Sequence, residues 1–265
     1  MSAAVWRHRT PKGRLALWFG WLALVALFVF CWEVMTRDTI WAFVADAPAQ
    51  AADLGSRMWP PRWSYIERLW VPLWDTLNIA TLGTLLGIVI AVPVAFLAAR
   101  NTTPSVAFVR PLALLIIVAS RSINSLIWAL LLVAIIGPGV LAGVIAIGLR
   151  SIGFVAKLLY EAIEEIDEKQ VEAVRATGAS TAQVIDFAIV PQVLPAFFGI
   201  TVFRWDINIR ESTILGLVGA GGLGLQLQAS LNVLAWPQVT LIFFVILATV
   251  VLSEWISAKV RHAII

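Results

Sequence analysis

Residues 15–32, LALWFGWLALVALFVFCW, form eighteen consecutive positions without a charge, and no other feature constrains the chain more. A helix of that length crosses a hydrocarbon core of about 30 Å, and it is too uniformly apolar to be one face of a soluble bundle. No small-residue cleavage site followed by a soluble domain comes after it, so a retained helix is favoured over a removable signal. Further apolar stretches fall at roughly 73–99, 111–136, 140–160, 192–218 and 238–257. The chain reads as an all-α integral membrane protein with six transmembrane helices.

Charge sets the topology. Four basic residues (Arg7, Arg9, Lys12, Arg14) precede the first span, and later inner segments hold Arg100 and Arg110, then Lys157, Lys169 and Arg175, then Lys259 and Arg261. The outer turns at 137–139 and 219–237 hold none, and the basic residues of the long first loop are balanced by Asp38, Asp46, Asp53 and Glu67. Both termini are expected in the cytoplasm by the positive-inside rule. The long loop, residues 36–71, carries Trp41, Trp59, Trp63 and Trp70 and reads as an external loop with interfacial aromatics. Residues 1–72 thus comprise a tail, the first span and that loop, and 73–265 a membrane core.

Composition excludes several functions. With 60% hydrophobic and 13% charged residues, neither a soluble enzyme nor a nucleic-acid-binding module is expected, and the pI near 9.4 reflects basic residues scattered between apolar runs. Cys31 is the one cysteine and His8 and His262 the two histidines, which leaves no internal disulfide and no Cys/His metal cluster. No GxxxxGK[ST] occurs, so ATP binding by a P-loop is not expected. Gly219, Gly221 and Gly224 spell GxGxxG, but no strand precedes them; with Gly222 they suggest a gate or re-entrant loop at the outer end of a span. Gly83 and Gly87 form a GxxxG suited to close helix packing, more commonly within a subunit than between subunits.

The longest polar stretch on the inner side is 161–183, EAIEEIDEKQVEAVRATGASTAQ. Its residues favour helix up to Thr177, Gly178 breaks it, Ala179 follows, and Ser180 with Gln183 fits a capping box opening a second helix that stops at Pro191. A solvated amphipathic connector is the plain reading. Yet Glu172, Ala173 and Val174, then Gly178, then Ala188, Val190 and Pro191, resemble the EAA motif of binding-protein-dependent ABC importer permeases, with Val174, Ala188 and Val190 as small apolar departures. The resemblance covers roughly 73–256 and narrows at 204–224 and 120–131, which look like phosphonate importer permeases of the PhnE type.

That resemblance implies a type I importer permease fold (MetI-like) in a bacterial inner membrane, working as a homodimer. Two copies of a separate cytoplasmic ATPase would bind ATP and Mg, this chain holding no cofactor itself, and an extracytoplasmic binding protein would deliver the substrate. Glu172, Ala173, Thr177, Gly178, Ala179 and Pro191 would belong to a coupling helix, within about 161–190, that meets the ATPase.

The buried charges carry an independent reading. Arg121, Arg150, Arg204 and Arg210 lie within spans, against only Asp206 and Glu211 as clearly embedded acids, leaving a surplus of positive charge at membrane depth. Guanidinium groups match tetrahedral oxyanions by bidentate hydrogen bonds, so phosphonate, phosphate and similar anions fit. Asp206 and Arg210, four apart, can pair. Arg204, Asn208 and Glu211 share another face, but Arg204 and Glu211 are two turns apart, so Arg204 is expected to lack a local acidic partner and to contact the anion. Arg121, Ser122 and Asn124 are its expected companions, with Asn208, Arg210 and Arg150 along the same path. For any one arginine an interhelical salt bridge is the competing role. An ATPase-independent anion carrier or channel would use the same arginines but leaves the EAA spacing unexplained; an intramembrane enzyme lacks a catalytic set.

Overall fold

The computed structural model describes residues 11–264, and every described element is helical. Arg7 and Arg9 of the basic N-terminal segment lie outside them. The chain divides into two compact units, residues 1–55 and 56–265.

The first unit contains α1 (Pro11–Thr36). Within Gly13–Thr36 no residue is buried, and Trp18, Phe19, Leu22, Phe28 and Phe30 stand open on several sides. A helix apolar all round that buries nothing within its own chain is suited to lipid. The following stretch, expected as loop, forms α2 (Trp41–Met58), with no buried residue. Alanines at 42, 45, 47, 49, 51 and 52 explain this, since alanine is the strongest helix former.

The second unit begins earlier than the expected core. α3 (Ile66–Ala98) starts inside the expected external loop, and Leu69 and Pro72 are already buried. Arg62 N–H donates to Pro237 O (3.0 Å), fastening this entry to the start of the last helix, and Tyr65 Oη donates to Gln226 Oε1 (3.1 Å) in the helix before it, Gly222–Asn232. Next come α4 (Val109–Ser122), α5 (Ser125–Ile136), α6 (Val140–Glu164), α7 (Glu168–Ala176) and α8 (Thr181–Val184). The chain ends with α9 (Val190–Leu215), α10 (Gly222–Asn232) and α11 (Trp236–Ile264).

Five described helical segments are long and apolar enough to cross a membrane, and α4 with α5 makes a sixth only as a broken pair bent by 85°. The third span is therefore not the straight helix expected over 111–136. Asn124 explains the break: its side chain accepts from Leu126 N–H (3.0 Å), capping α5 instead of continuing α4.

α3 and α6 form the most extensive helix pair. The GxxxG of α3 makes it possible within one chain: a Cβ on Gly87 would lie 2.5 Å from Ser151 Cβ, and one on Gly83 would lie 2.7 Å from Ile147. Apolar clusters fill the two ends. One joins Ala91, Ala95, Ala98, Val155, Leu159, Ile163 and Val193, and another joins Ile79, Ala146, Ile147 and Leu215. Between these clusters α3, α6 and α9 place Thr84, Arg150, Ser151, Arg204, Asn208 and Glu211, which are linked to one another across the bundle. A polar seam thus crosses the middle of the bundle.

Candidate functional site

Within this seam Arg204 is 1% exposed. Its Nε donates to Ser151 Oγ (3.0 Å), its guanidinium lies over the Phe154 ring (5.1 Å to the centroid), and its Nη2 meets Glu211 Oε2 at 3.4 Å. The expectation that Arg204 lacks a local acidic partner is therefore corrected. Two helical turns are about 10 Å of rise, but side chains on one face can reach toward each other and close that interval. Glu211 is shared, because its Oε1 lies 3.4 Å from Arg150 Nη1. Arg150 also donates to Asn124 Oδ1 and Ser125 Oγ, each at 3.3 Å. Asn208, fully buried, donates from Nδ2 to Thr84 Oγ1 (2.7 Å) and Ser151 Oγ (3.1 Å), while its Oδ1 has no partner among the described residues.

The structure thus brings together Arg150, Arg204, Asn208 and Asn124 of the expected path. Two guanidinium groups face one carboxylate, so the seam keeps an excess positive charge. Exposure separates the two cations: the Arg150 side chain is 32% exposed and that of Arg204 2%. Arg150, bonded to Asn124 and Ser125 at the α4–α5 break, is the more accessible of the two cations.

Other expected residues lie apart from this group. Arg121 is exposed, with its stem against Gly153 and no ionic partner among the described residues. Ser122 Oγ turns back to its own helix at Val118 O (2.7 Å). Arg210 pairs with Asp206, as its spacing suggests, and the second Asp206 oxygen accepts from Ser253 Oγ on α11 (2.8 Å). Sequence reasoning missed Glu211 as the shared counter-charge and missed Ser151, Thr84 and Ser125. The available signal was the few hydroxyl residues within otherwise apolar runs.

A second candidate surface lies at the end of the unit where Arg100 N–H donates to Glu164 Oε1 (2.9 Å) and Arg110 pairs with Glu164 (3.5 Å). α6 stops at Glu164, and Asp167 caps a separate α7 by accepting from Lys169 N–H (3.0 Å), so the single helix expected up to Thr177 is two. Val171 packs into the apolar cluster, whereas Glu172, Ala173, Arg175 and Ala176 face outward. Thr177 Oγ1 bonds back to Val174 O, Gly178 takes φ +82°, and Ala179 packs beside the cluster. Ser180 and Gln183 form the expected capping box.

Pro191 does not stop the helix that follows. A π-helical turn, Ile185–Ile189, leads into α9, where Pro191 occupies the first turn. There its missing N–H costs little, and Gln192 Nε2 donates to Ala188 O (2.7 Å). Val184, Ala188, Ile189 and Val193 anchor this segment in the same cluster as Ala95, Ala98 and Ile117. Val171 of α7 thus shares one packed cluster with residues of α3, α4 and α6.

At the opposite end Gly219, Gly221 and Gly222 all have positive φ and reverse the chain between α9 and α10. Gly224 lies so close to α9 that a Cβ there would be 2.0 Å from Thr213 O. Thr76 Oγ1 accepts from Leu223 N–H (2.8 Å), and Gly139 N–H donates to Gly219 O (3.0 Å), joining the two turns.

Comparison with known proteins places these features. Residues 83–259 match the family described as binding-protein-dependent transport system inner membrane component. The chain is 41% identical over 257 residues to the phosphite transport system permease protein PtxC of Stutzerimonas stutzeri, covering 97% of this chain and 89% of that one. It is 39% identical over 240 residues to the phosphate-import permease protein PhnE of Mycolicibacterium smegmatis, spanning 91% of this chain but 44% of that protein. In fold it is similar to a chain of the MetNI methionine ABC transporter in inward-facing conformations, with a TM-score of 0.67 at 22% identity, over 77% of this chain and 99% of that one. The chain is a multi-pass inner-membrane permease of the binding-protein-dependent transport family.

Proposed function

We propose that this chain is one of two identical permease subunits in an ATP-driven importer for a phosphorus oxyanion: phosphate, phosphite or a phosphonate. The observation that carries the reading is the mid-bundle seam, where Arg150 and Arg204 share the single carboxylate of Glu211. Burying such an excess of positive charge against lipid would cost several kcal/mol, so a wet, anion-accepting path accounts for it better. The phosphite and phosphate permeases to which the chain is similar support the same substrate class.

In this reading the α7 end faces the cytoplasm, together with both termini. Glu172, Ala173 and the Thr177–Ala179 turn dock on a separate ATPase, which binds ATP and Mg. The glycine turn at 219–224 lies on the outer side, where a substrate-binding protein delivers the anion and the turn serves as a gate. Closure of the ATPase pair moves α7, and the shared apolar cluster carries that movement to α3, α4 and α6. The anion then passes Arg150 near the α4–α5 break.

Reconstitution of the permease with its ATPase and binding protein tests this. Phosphate, phosphite or a phosphonate is expected to stimulate ATP hydrolysis. Stimulation confined to a zwitterion or a sugar overturns the oxyanion reading.

A further inference from the structure

We propose that Glu211 is a specificity-determining residue whose carboxylate admits oxyanions that still carry a proton and rejects those that are fully deprotonated. The inference rests on the oxyanion path above and adds to it a role for the one acid in the seam. Its two contacts, 3.4 Å to Arg150 and 3.4 Å to Arg204, are long for charge-assisted bonds, which lie near 2.7–2.9 Å. The carboxylate is shared between the cations and not locked onto either. An ionised carboxylate offers about four lone-pair directions, so acceptor capacity remains after both contacts.

The geometry sets what an anion meets. Arg204 is enclosed by Ser151, Phe154 and Glu211, which leaves the part-exposed guanidinium of Arg150 as the point of entry. An anion on that guanidinium is brought alongside Glu211, which touches the same group. A bare anionic oxygen there is repelled by the carboxylate. An oxygen bearing hydrogen donates to it and forms a short, charge-assisted bond. Hydrogen phosphate and the monoanions of phosphite and phosphonates carry such an O–H at neutral pH, and sulfate carries none. Sulfate and phosphate have nearly the same size and shape, so only a group that reads the proton can separate them here.

The test uses the purified complex of permease and ATPase without binding protein, so that the selectivity of the latter does not mask the seam. Equilibrium binding of radiolabelled orthophosphate and of sulfate is measured. The wild type is expected to prefer phosphate by about 100-fold, modest for a site that reads a substrate hydroxyl. Glu211→Gln removes the charge and supplies a donor; sulfate binding should rise until the preference largely disappears. If Glu211→Gln fails to assemble, the double variant Arg204→Met with Glu211→Gln removes both partners of the buried pair and carries the same expectation.

An unchanged preference in either variant, with phosphate binding abolished by Arg150→Ala, overturns the role of Glu211 and leaves the path standing. Absence of phosphate binding in the wild type, or binding indifferent to Arg150→Ala, overturns the path and the Glu211 role together.

Discussion

A guanidinium with 2% of its side chain exposed and one with 32% exposed, both held by one carboxylate, have different work to do. Removing a single partner of a buried pair strands the other charge, at about 3–5 kcal/mol. Arg204→Ala is therefore expected to lower the unfolding midpoint in detergent and to reduce yield, whereas Arg204→Met combined with Glu211→Gln should recover much of the loss. Arg150→Ala should instead leave assembly near normal and abolish uptake; uptake at wild-type level would remove Arg150 from the path. Asn124→Ala tests the break. Losing the cap should cost about 1 kcal/mol and release one contact of Arg150, lowering transport more than stability. The excess of arginine over acid was legible in the sequence, as was the face shared by Arg204, Asn208 and Glu211. The pairing was not, because position along a helix axis leaves out how far two long side chains lean toward each other.

At the scale of elements, helix ends decide most of what periodicity leaves open. Hydropathy marked the apolar runs well, but the bend at Ile123 depends on whether one Asn side chain takes a backbone N–H, and the continuation through Pro191 depends on a π turn. Neither registers in average hydropathy. The Gly178 turn was legible, since a glycine between a helical run and a Ser-x-x-Gln capping box leaves few alternatives. Gly178→Val is expected to strain the φ of +82° by roughly 1–2 kcal/mol while meeting open space, so the protein should still assemble. ATP hydrolysis by the complex should then lose its stimulation by substrate; retained stimulation would place the coupling contact elsewhere. Gly87→Leu should act differently. It drives α3 away from Ser151 and is expected to destabilise the fold by about 1–3 kcal/mol or more, measured as a lowered unfolding midpoint.

At the scale of the whole molecule, a polar middle separates two packed ends. Packed side chains link α7 to α3, α4 and α6, a hydrogen bond joins the turns at Gly139 and Gly219, and the seam lies between two apolar clusters. In the proposed orientation the basic balance of the chain is mainly a record of topology, and the arginines of the seam make up the remainder. The most direct measurement is uptake of radiolabelled phosphate or phosphite by proteoliposomes containing the permease, its ATPase and its binding protein. Uptake should require ATP and the binding protein, and should disappear with Arg150→Ala in a complex that still hydrolyses ATP. Uptake without ATP, or unchanged by Arg150→Ala, would contradict the account.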